Sequence, residues 1–306
     1  MAGNGNIDFF CLECYTGKSE VNTLQTEVIK LDRENMDLDA LKRAGEIIKN
    51  GGLVAFPTET VYGLGGDGLH EESSRKIYEA KGRPSDNPLI VHVADMEHLE
   101  KIVKKVPTAA YKLAEAFWPG PMTMILEKND LVPYGTTGGL DTVAIRMPSD
   151  PIALELIRQG GGYIAAPSAN TSGRPSPTTA QHVYEDLQGK IPMILDGGAV
   201  TIGLESTIVD LTEEIPTILR PGFISLDMVQ AVLGEAQIDR GLIANDSNIH
   251  PKAPGMKYRH YAPKADLKIV EGPMEQVISY INEQAEKGRT GIICTEETRS
   301  RYPKGD

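Results

Sequence analysis

Several cations of this 306-residue chain stand where a solvated helix face would not place them. Arg146 interrupts the apolar run Val143–Met147. Arg220 ends Ile218-Leu219-Arg220 ahead of Pro221-Gly222. Lys81 and Arg83 flank Gly82 before Pro84, and Arg174 lies in Ser172-Gly173-Arg174-Pro175. A charge taken out of water needs a partner, because desolvation is expensive. Any of the 43 acidic residues would serve for a single arginine. For several cations beside Gly and Pro an anionic ligand is the better account, since a guanidinium fork and an ammonium suit phosphate and carboxylate oxygens.

Hydroxyls gather near these cations. Thr58 and Thr60 follow Phe56-Pro57. Ser168, Thr171, Ser172, Ser176, Thr178 and Thr179 crowd one stretch, and Ser206-Thr207 occupy another. Small hydroxyls and loop amides beside cations cradle polyphosphates, although most such residues make turns and caps. Ser168-Ala169-Asn170 is the best placed. It directly follows the apolar run Tyr163–Ala166, and ligands of open α/β sheets sit at strand ends. The segment Phe56–His92 joins a strand, hydroxyls, a glycine-rich turn, a helix and the Lys81–Arg83 corner, which reads as an active-site wall.

Other patterns fail on context. Gly63, Gly65 and Gly68 spell G-x-G-x-x-G, but Pro57 ends the strand too early and the helix starts too late for a dinucleotide fingerprint. Ser73–Lys76 and Ser85-Asp86-Asn87 mimic serine β-lactamase motifs but lie too close together. There is no Walker A sequence. Cys11 and Cys14 lack the second pair a zinc knuckle needs. His92, in Leu89–Val93, reads first as a satisfied core histidine. No catalytic triad or paired-carboxylate spacing is legible. The residues themselves lead to an α/β protein that binds an anionic, phosphate-bearing ligand. Transfer at phosphorus suits that set, because positioning and charge neutralisation supply most of its catalysis.

Elements must hold these residues. Regular structure is expected from Leu24–Leu31 and then in a helix capped by Asp37, with Leu38, Leu41, Ala44, Ile47 and Ile48 on its apolar face and Gly51 at its end. Short buried strands are expected at Leu53–Phe56, Leu89–Val93, Met122–Leu126, Val143–Met147, Tyr163–Ala166, Met193–Leu195, Thr207–Leu211 and Thr217–Arg220. Helical patterns fall at Ser73–Ala80, His98–Val106, Ala109–Phe117, Ile152–Gln159, Ala180–Leu187 and Leu226–Leu233. The alternation predicts an α/β domain. The short link between 207–211 and 217–220 predicts an antiparallel pair, hence a mixed sheet. The divisions read as an irregular arm (1–25), a large domain (26–235), a proline-rich linker (236–265) and the start of a small α/β domain (266–306). The last is expected to hold strands at Leu267–Val270 and Gly291–Cys294 around a helix at Met274–Glu286.

With a net charge of −12, general nucleic-acid or membrane-surface binding is disfavoured. The N-terminus lacks a signal-peptide pattern, no apolar run is long enough to span a membrane, and three cysteines make no disulfide framework. These features predict a soluble cytoplasmic protein.

The motifs PTETVYGLG (57–65), KGRPSDNPLIVH (81–92), WPGPMT (118–123), AIRMP (144–148), APSANTSGRPSPT (166–178), ESTIVD (205–210) and LRPG (219–222) occur in order. Together they resemble the L-threonylcarbamoyladenylate synthases with a YrdC-like domain. HYAP (260–263) resembles their two-domain form. The resemblance implies a twisted, mixed parallel and antiparallel open sheet with helices, then a linker and a partial Rossmann-like α/β C-terminal domain. It implies that L-threonine, bicarbonate and ATP give L-threonylcarbamoyladenylate and pyrophosphate. A downstream threonylcarbamoyl-transferase complex would then modify tRNA beside the anticodon, with at most a weak tRNA contact by this protein. By motif match Lys81, Arg83 and Arg146 would be the catalytic cations. Thr60, His92, Arg146, Ser168 and Ser206 would surround threonine, with a backbone contact from Ala166. Lys81, Arg83, Asn87, Thr142, Ser168, Ser176 and Arg220 would contact ATP, accompanied by Mg²⁺ on its phosphates and no metal site of the protein's own. Met256–Pro263 combines Lys257, Arg259 and two tyrosines between prolines, which suits a lid whose Tyr261 reaches the nucleotide. Two rivals are an RNA-binding module without catalysis and a carbamoyltransferase subunit of hydrogenase maturation. The latter would need an acylphosphatase domain and zinc-finger cysteines upstream, and neither fits before residue 28.

Overall fold

The computed structural model describes residues 24–239 and 266–303. The expected arm lies almost wholly outside these residues, as do the lid segment and Tyr261. The chain divides into two units, Met1–Tyr261 and Ala262–Asp306.

The first unit runs β1 (Glu27–Lys30), α1 (Leu38–Lys49), β2 (Val54–Phe56), β3 (Gly63–Asp67), α2 (Glu71–Lys81), β4 (Ile90–His92), α3 (Met96–Ile102), α4 (Thr108–Phe117), β5 (Met122–Glu127), α5 (Tyr134–Thr137), β6 (Thr142–Arg146), α6 (Pro151–Gln159), β7 (Ile164–Ala165), α7 (Ala180–Leu187), β8 (Met193–Asp196), β9 (Thr207–Asp210), β10 (Thr217–Arg220), α8 (Leu226–Leu233) and β11 (Gln237–Ile238). The strands form one eleven-stranded sheet in the order β1-β8-β2-β3-β7-β4-β6-β5-β9-β10-β11. Pairing is mixed: β4 runs parallel to β6, β5 antiparallel to β6, and β9 antiparallel to β10 as the short link between them requires.

Local chemistry starts and stops the helices. The Asp37 carboxylate accepts from the Ala40 N–H and caps α1. Asp150 caps α6 through the N–H groups of Ile152 and Ala153, with Pro151 in the first turn. Gly82 ends α2 at φ 62, a left-handed conformation. The chain therefore turns sharply between Lys81 and Arg83.

The expected turn at Gly63–Asp67 is instead a buried strand, β3, paired antiparallel with β2. Its glycines serve close packing. A Cβ at Gly65 would lie 2.8 Å from Ile164 Cγ2 and 2.9 Å from Phe56 Cε1. That composition hid the strand from propensity reasoning.

Period-2 alternation sorts the strands' side chains between faces. Val54 and Phe56 pack with Leu41, Ala44, Ile48, Ile152 and Leu156 of α1 and α6. Leu53 and Ala55 pack on the other side with Ile77 of α2 and Val183 and Leu187 of α7. Farther along, Val91, Met124, Val143, Ile145 and Val209 pack with α3, α4 and α8. Their sequence neighbours Ile90, Ile125, Ala144 and Ile208 form a small cluster with Leu219 that contains no helical residue. All five are buried, and Ile90 among them also lines a cavity.

The second unit contains α9 (Met274–Lys287) and the short α10 (Glu296–Arg299). The strands expected at 267–270 and 291–294 are not formed among its described residues. A strand exists only through a ladder partner, and Leu267, Ile269 and Ile293 are exposed.

Candidate active site

A cavity of about 300 Å³ opens beside Ile90 on that face of the sheet, within the size range of small-molecule sites. Alternation puts its polar groups there. Ile90 and His92 share a face of β4, and Ala144 and Arg146 share one of β6, where His92 is registered with Arg146. Arg146 is also registered with Thr123 of β5, and Thr123 with Ile208 of β9. A register shift between Ile218 and Arg220 lets Leu219 join the apolar cluster while Arg220, the next residue, lines the cavity. Loops complete the wall: Thr58, Thr60 and Val61 after β2, Ala166–Ser168 after β7, Ser176, and Glu205-Ser206 before β9.

Arg146 is 4 % exposed and held on three sides. Nη2 donates to Glu59 Oε1 at 2.7 Å, Nη1 to Thr60 Oγ1 at 2.9 Å, and Nε to the Gly120 carbonyl at 3.3 Å. It is therefore both a member of a buried ion pair and a cavity cation; sequence reasoning offered these as alternatives. Thr58 Oγ1 accepts from the Thr60 N–H and lies 2.9 Å from Thr60 Oγ1, so the loop's hydroxyls brace one another. His92 Nδ1 lies 3.1 Å from the Ile90 carbonyl and acts as donor to it. Burial and the neighbouring Arg146 push its imidazole down to about 3, so it is neutral at physiological pH.

The two cations of the α2 corner separate. Arg83 reaches the cavity and donates from Nη2 to the Asn87 and Pro88 carbonyls. Lys81 is 2 % exposed and does not line the cavity. Its ammonium donates to the Ser168 carbonyl and, at 2.6 Å, to the Asn170 carbonyl. Burial and then Arg83 depress its pKa well below the ordinary lysine value. Ser168 Oγ donates to Asn170 Oδ1 at 2.6 Å, and Asn170 Nδ2 donates to the Thr171 and Arg174 carbonyls. Lys81 thus braces the Ser168 loop from behind the cavity wall.

On the third side Arg220 donates through Nε and Nη2 to the carbonyl and hydroxyl of Ser206, whose Oγ also lies 2.7 Å from Thr123 Oγ1. Ser176 donates to Glu205 Oε1 at 2.6 Å. Burial, with Arg146 and Arg83 nearby, pushes Arg220 down to about 10 against the pull of Glu205. It stays charged at neutral pH. The guanidiniums of Arg83, Arg146 and Arg220 line one cavity with the carboxylate of Glu205, and Glu59 pairs with Arg146 from outside the lining, so the balance is cationic. Among the described residues no group of three His, Cys, Asp or Glu side chains gathers as a metal site.

Of the residues singled out from sequence, Thr60, Arg83, His92, Arg146, Ala166, Ser168, Ser176, Ser206 and Arg220 line this cavity. Lys81 lies behind it. Asn87 is buried with Oδ1 lacking a hydrogen-bond partner. Thr142 starts β6, roughly 13 Å along the strand from Arg146. Arg174 is paired instead with Asp186. Glu59, Glu205 and the bracing role of Asn170 were missed. The available signal for Glu59 was an acid inside the otherwise apolar and hydroxyl segment Phe56–Tyr62, the counter-charge a buried arginine requires.

Two family models match. The Sua5/YciO/YrdC model, described as telomere recombination, matches residues 46–222, and the model described as threonylcarbamoyl-AMP synthase, C-terminal domain, matches 224–305. The threonylcarbamoyl-AMP synthase of Pyrococcus abyssi is 52% identical over 266 residues, covering 85% of this chain and 78% of that protein. That of Bacillus subtilis is 50% identical over 264 residues, covering 86% and 76%. The crystal structure of P. abyssi Sua5 complexed with L-threonine superposes with a TM-score of 0.82 at 52% identity, covering 86% of this chain and 76% of that one.

Proposed function

This chain belongs to the Sua5/YciO/YrdC family, and we propose that it is a threonylcarbamoyl-AMP synthase, a nucleotidyltransferase joining L-threonine, bicarbonate and ATP. The observation that carries this reading is the cationic cavity of Arg83, Arg146 and Arg220, walled by Thr60, Ser168 and Ser206, in a chain half identical to named synthases. Arg146 has five N–H donors, and three are engaged in its protein bonds. The remaining ones suit the threonine carboxylate, and neutral His92 adds a polar contact without charge. Arg83 and Arg220 face the phosphates. Lys81 acts by fixing the Ser168–Asn170 loop, which presents its hydroxyl to the nucleotide. Asn87 offers an acceptor, and Thr142 shares the Ala144–Arg146 face, so a nucleotide extended along β6 would pass it.

The chemistry needs no protein nucleophile. The threonine amine and bicarbonate condense to a carbamate with loss of water. A carbamate oxygen attacks the α-phosphorus, forming the new P–O bond as the bond to the β-phosphate breaks and pyrophosphate leaves. Arginines neutralise the charge on the transferring group. Mg²⁺ on the phosphate oxygens would neutralise more of it, and Glu205, the one carboxylate lining the cavity among the described residues, fits such an ion. The product would supply a downstream complex that modifies tRNA, and the site of action would be the cytoplasm. No helix among the described residues is long and apolar enough to cross a membrane. The RNA-binding alternative draws no support from relatives that carry the synthase name.

Mass spectrometry of the products from ATP, bicarbonate and threonine tests this reading. The mixed-anhydride adenylate and pyrophosphate are expected only with all three substrates. Their absence, with the protein folded, would overturn it.

A further inference from the structure

We propose that Glu59 is a positioning residue that sets the direction of the Arg146 guanidinium for the carboxylate of the amino-acid substrate, which deepens the synthase reading and rests on it. Glu59 joins three segments of the cavity wall. Oε1 accepts from Arg146 Nη2 at 2.7 Å, and Oε2 accepts from the Ser149 N–H at 3.1 Å, which ties it to the turn after β6. Its main-chain carbonyl accepts from the Ile202 N–H at 2.9 Å and from Thr201 Oγ1 at 3.3 Å. The loop leading to Glu205 and Ser206 is thus pinned to the loop carrying Thr60. Glu59 is only 8 % exposed and is absent from the cavity lining, so it acts on the ligand through another group.

Two physical accounts of this carboxylate predict opposite signs. As a mere counter-charge, Glu59 weakens the site's attraction for anions, and neutralising it would tighten substrate binding. As a positioning group, it keeps Arg146 in one rotamer so that its free N–H donors meet the substrate carboxylate side-on. Neutralising it would then free the guanidinium and weaken that contact, although charge alone favours the reverse. Misplacing a binding group by about 1 Å costs up to roughly a hundredfold. Glutamine at position 59 keeps the size of the side chain and an acceptor for Ser149, but sets an amide against the guanidinium.

The test compares the full-length protein with its Glu59→Gln and Glu59→Asp variants. It measures threonine-dependent pyrophosphate release at varied threonine, ATP affinity without threonine, and thermal unfolding. Glu59→Gln is expected to raise the threonine KM by at least about tenfold with kcat at saturating threonine and ATP affinity near wild type, and Glu59→Asp, which keeps the charge on a shorter arm, to fall between them. An unchanged or lowered threonine KM in Glu59→Gln would overturn the proposal. A rise in KM matched by equal loss of ATP affinity, or failure of both variants to fold, would make the pair a structural clasp and overturn it as well. If the wild-type protein itself releases no pyrophosphate, it is the synthase reading that fails, not the role of Glu59.

Discussion

Arg146 holds one carboxylate of its own protein and, in the proposed reaction, one of its substrate. Arg146→Ala should therefore abolish threonine-dependent pyrophosphate release and also destabilise the fold, by about 3–5 kcal/mol, because Glu59 is left buried without its counter-charge. Adding Glu59→Gln to Arg146→Ala should restore much of the lost stability and none of the activity, as denaturant unfolding and turnover would show. Arg146→Ala with wild-type stability would mean that the ion pair is not made in solution. His92 gives a pH signature. Its folded value of about 3 lies below the unfolded value of 6.5, so the unfolded chain binds the extra proton between them. Stability from neutral His92 is fully present above pH 6.5 and is lost as pH falls toward 3. The wild type should lose stability more steeply than His92→Gln between these values. Parallel curves would show that the imidazole is not held neutral by the fold.

At the scale of elements, the α2 corner decides which cation meets the ligand. Gly82 adopts φ 62, with no atom within 4 Å of where a Cβ would stand. Gly82→Ala should therefore cost only the left-handed penalty of roughly 1–2 kcal/mol, and Gly82→Asn less. A corner that reopens should also move Arg83 off the cavity and raise the KM for ATP. A normal ATP KM in a destabilised Gly82→Ala would separate the turn from the site. The corner was legible in sequence because Lys-Gly-Arg-Pro is local punctuation. β3 was not, because Gly63–Asp67 has none of the side chains that mark strands and earns its place through contact with Phe56 and Ile164. Strands 267–270 and 291–294 failed in the opposite way: their composition is strand-like, but no ladder forms among the described residues.

For the whole molecule, charge is divided by scale: the chain carries −12 while its cavity is cationic. Phosphate neutralisation over a duplex needs a broad basic surface. Unrelated RNA should thus bind weakly at about 150 mM salt, with no saturation in a filter assay at micromolar protein; tight, salt-sensitive binding would revive the RNA-binding module. The sequence by itself determined the α/β alternation, most element positions, the antiparallel pair β9–β10 and most of the cavity's polar residues. These rest on local periodicity, turn chemistry and contiguous motifs. Only the tertiary structure decided the strand order that lays His92 beside Arg146, the sheet face on which the cavity opens, and the retreat of Lys81 behind the wall. It also decided that Arg146 pairs with Glu59, which lies 87 residues away in the chain. Pairing across such distances depends on which strands become neighbours, and no local pattern encodes that.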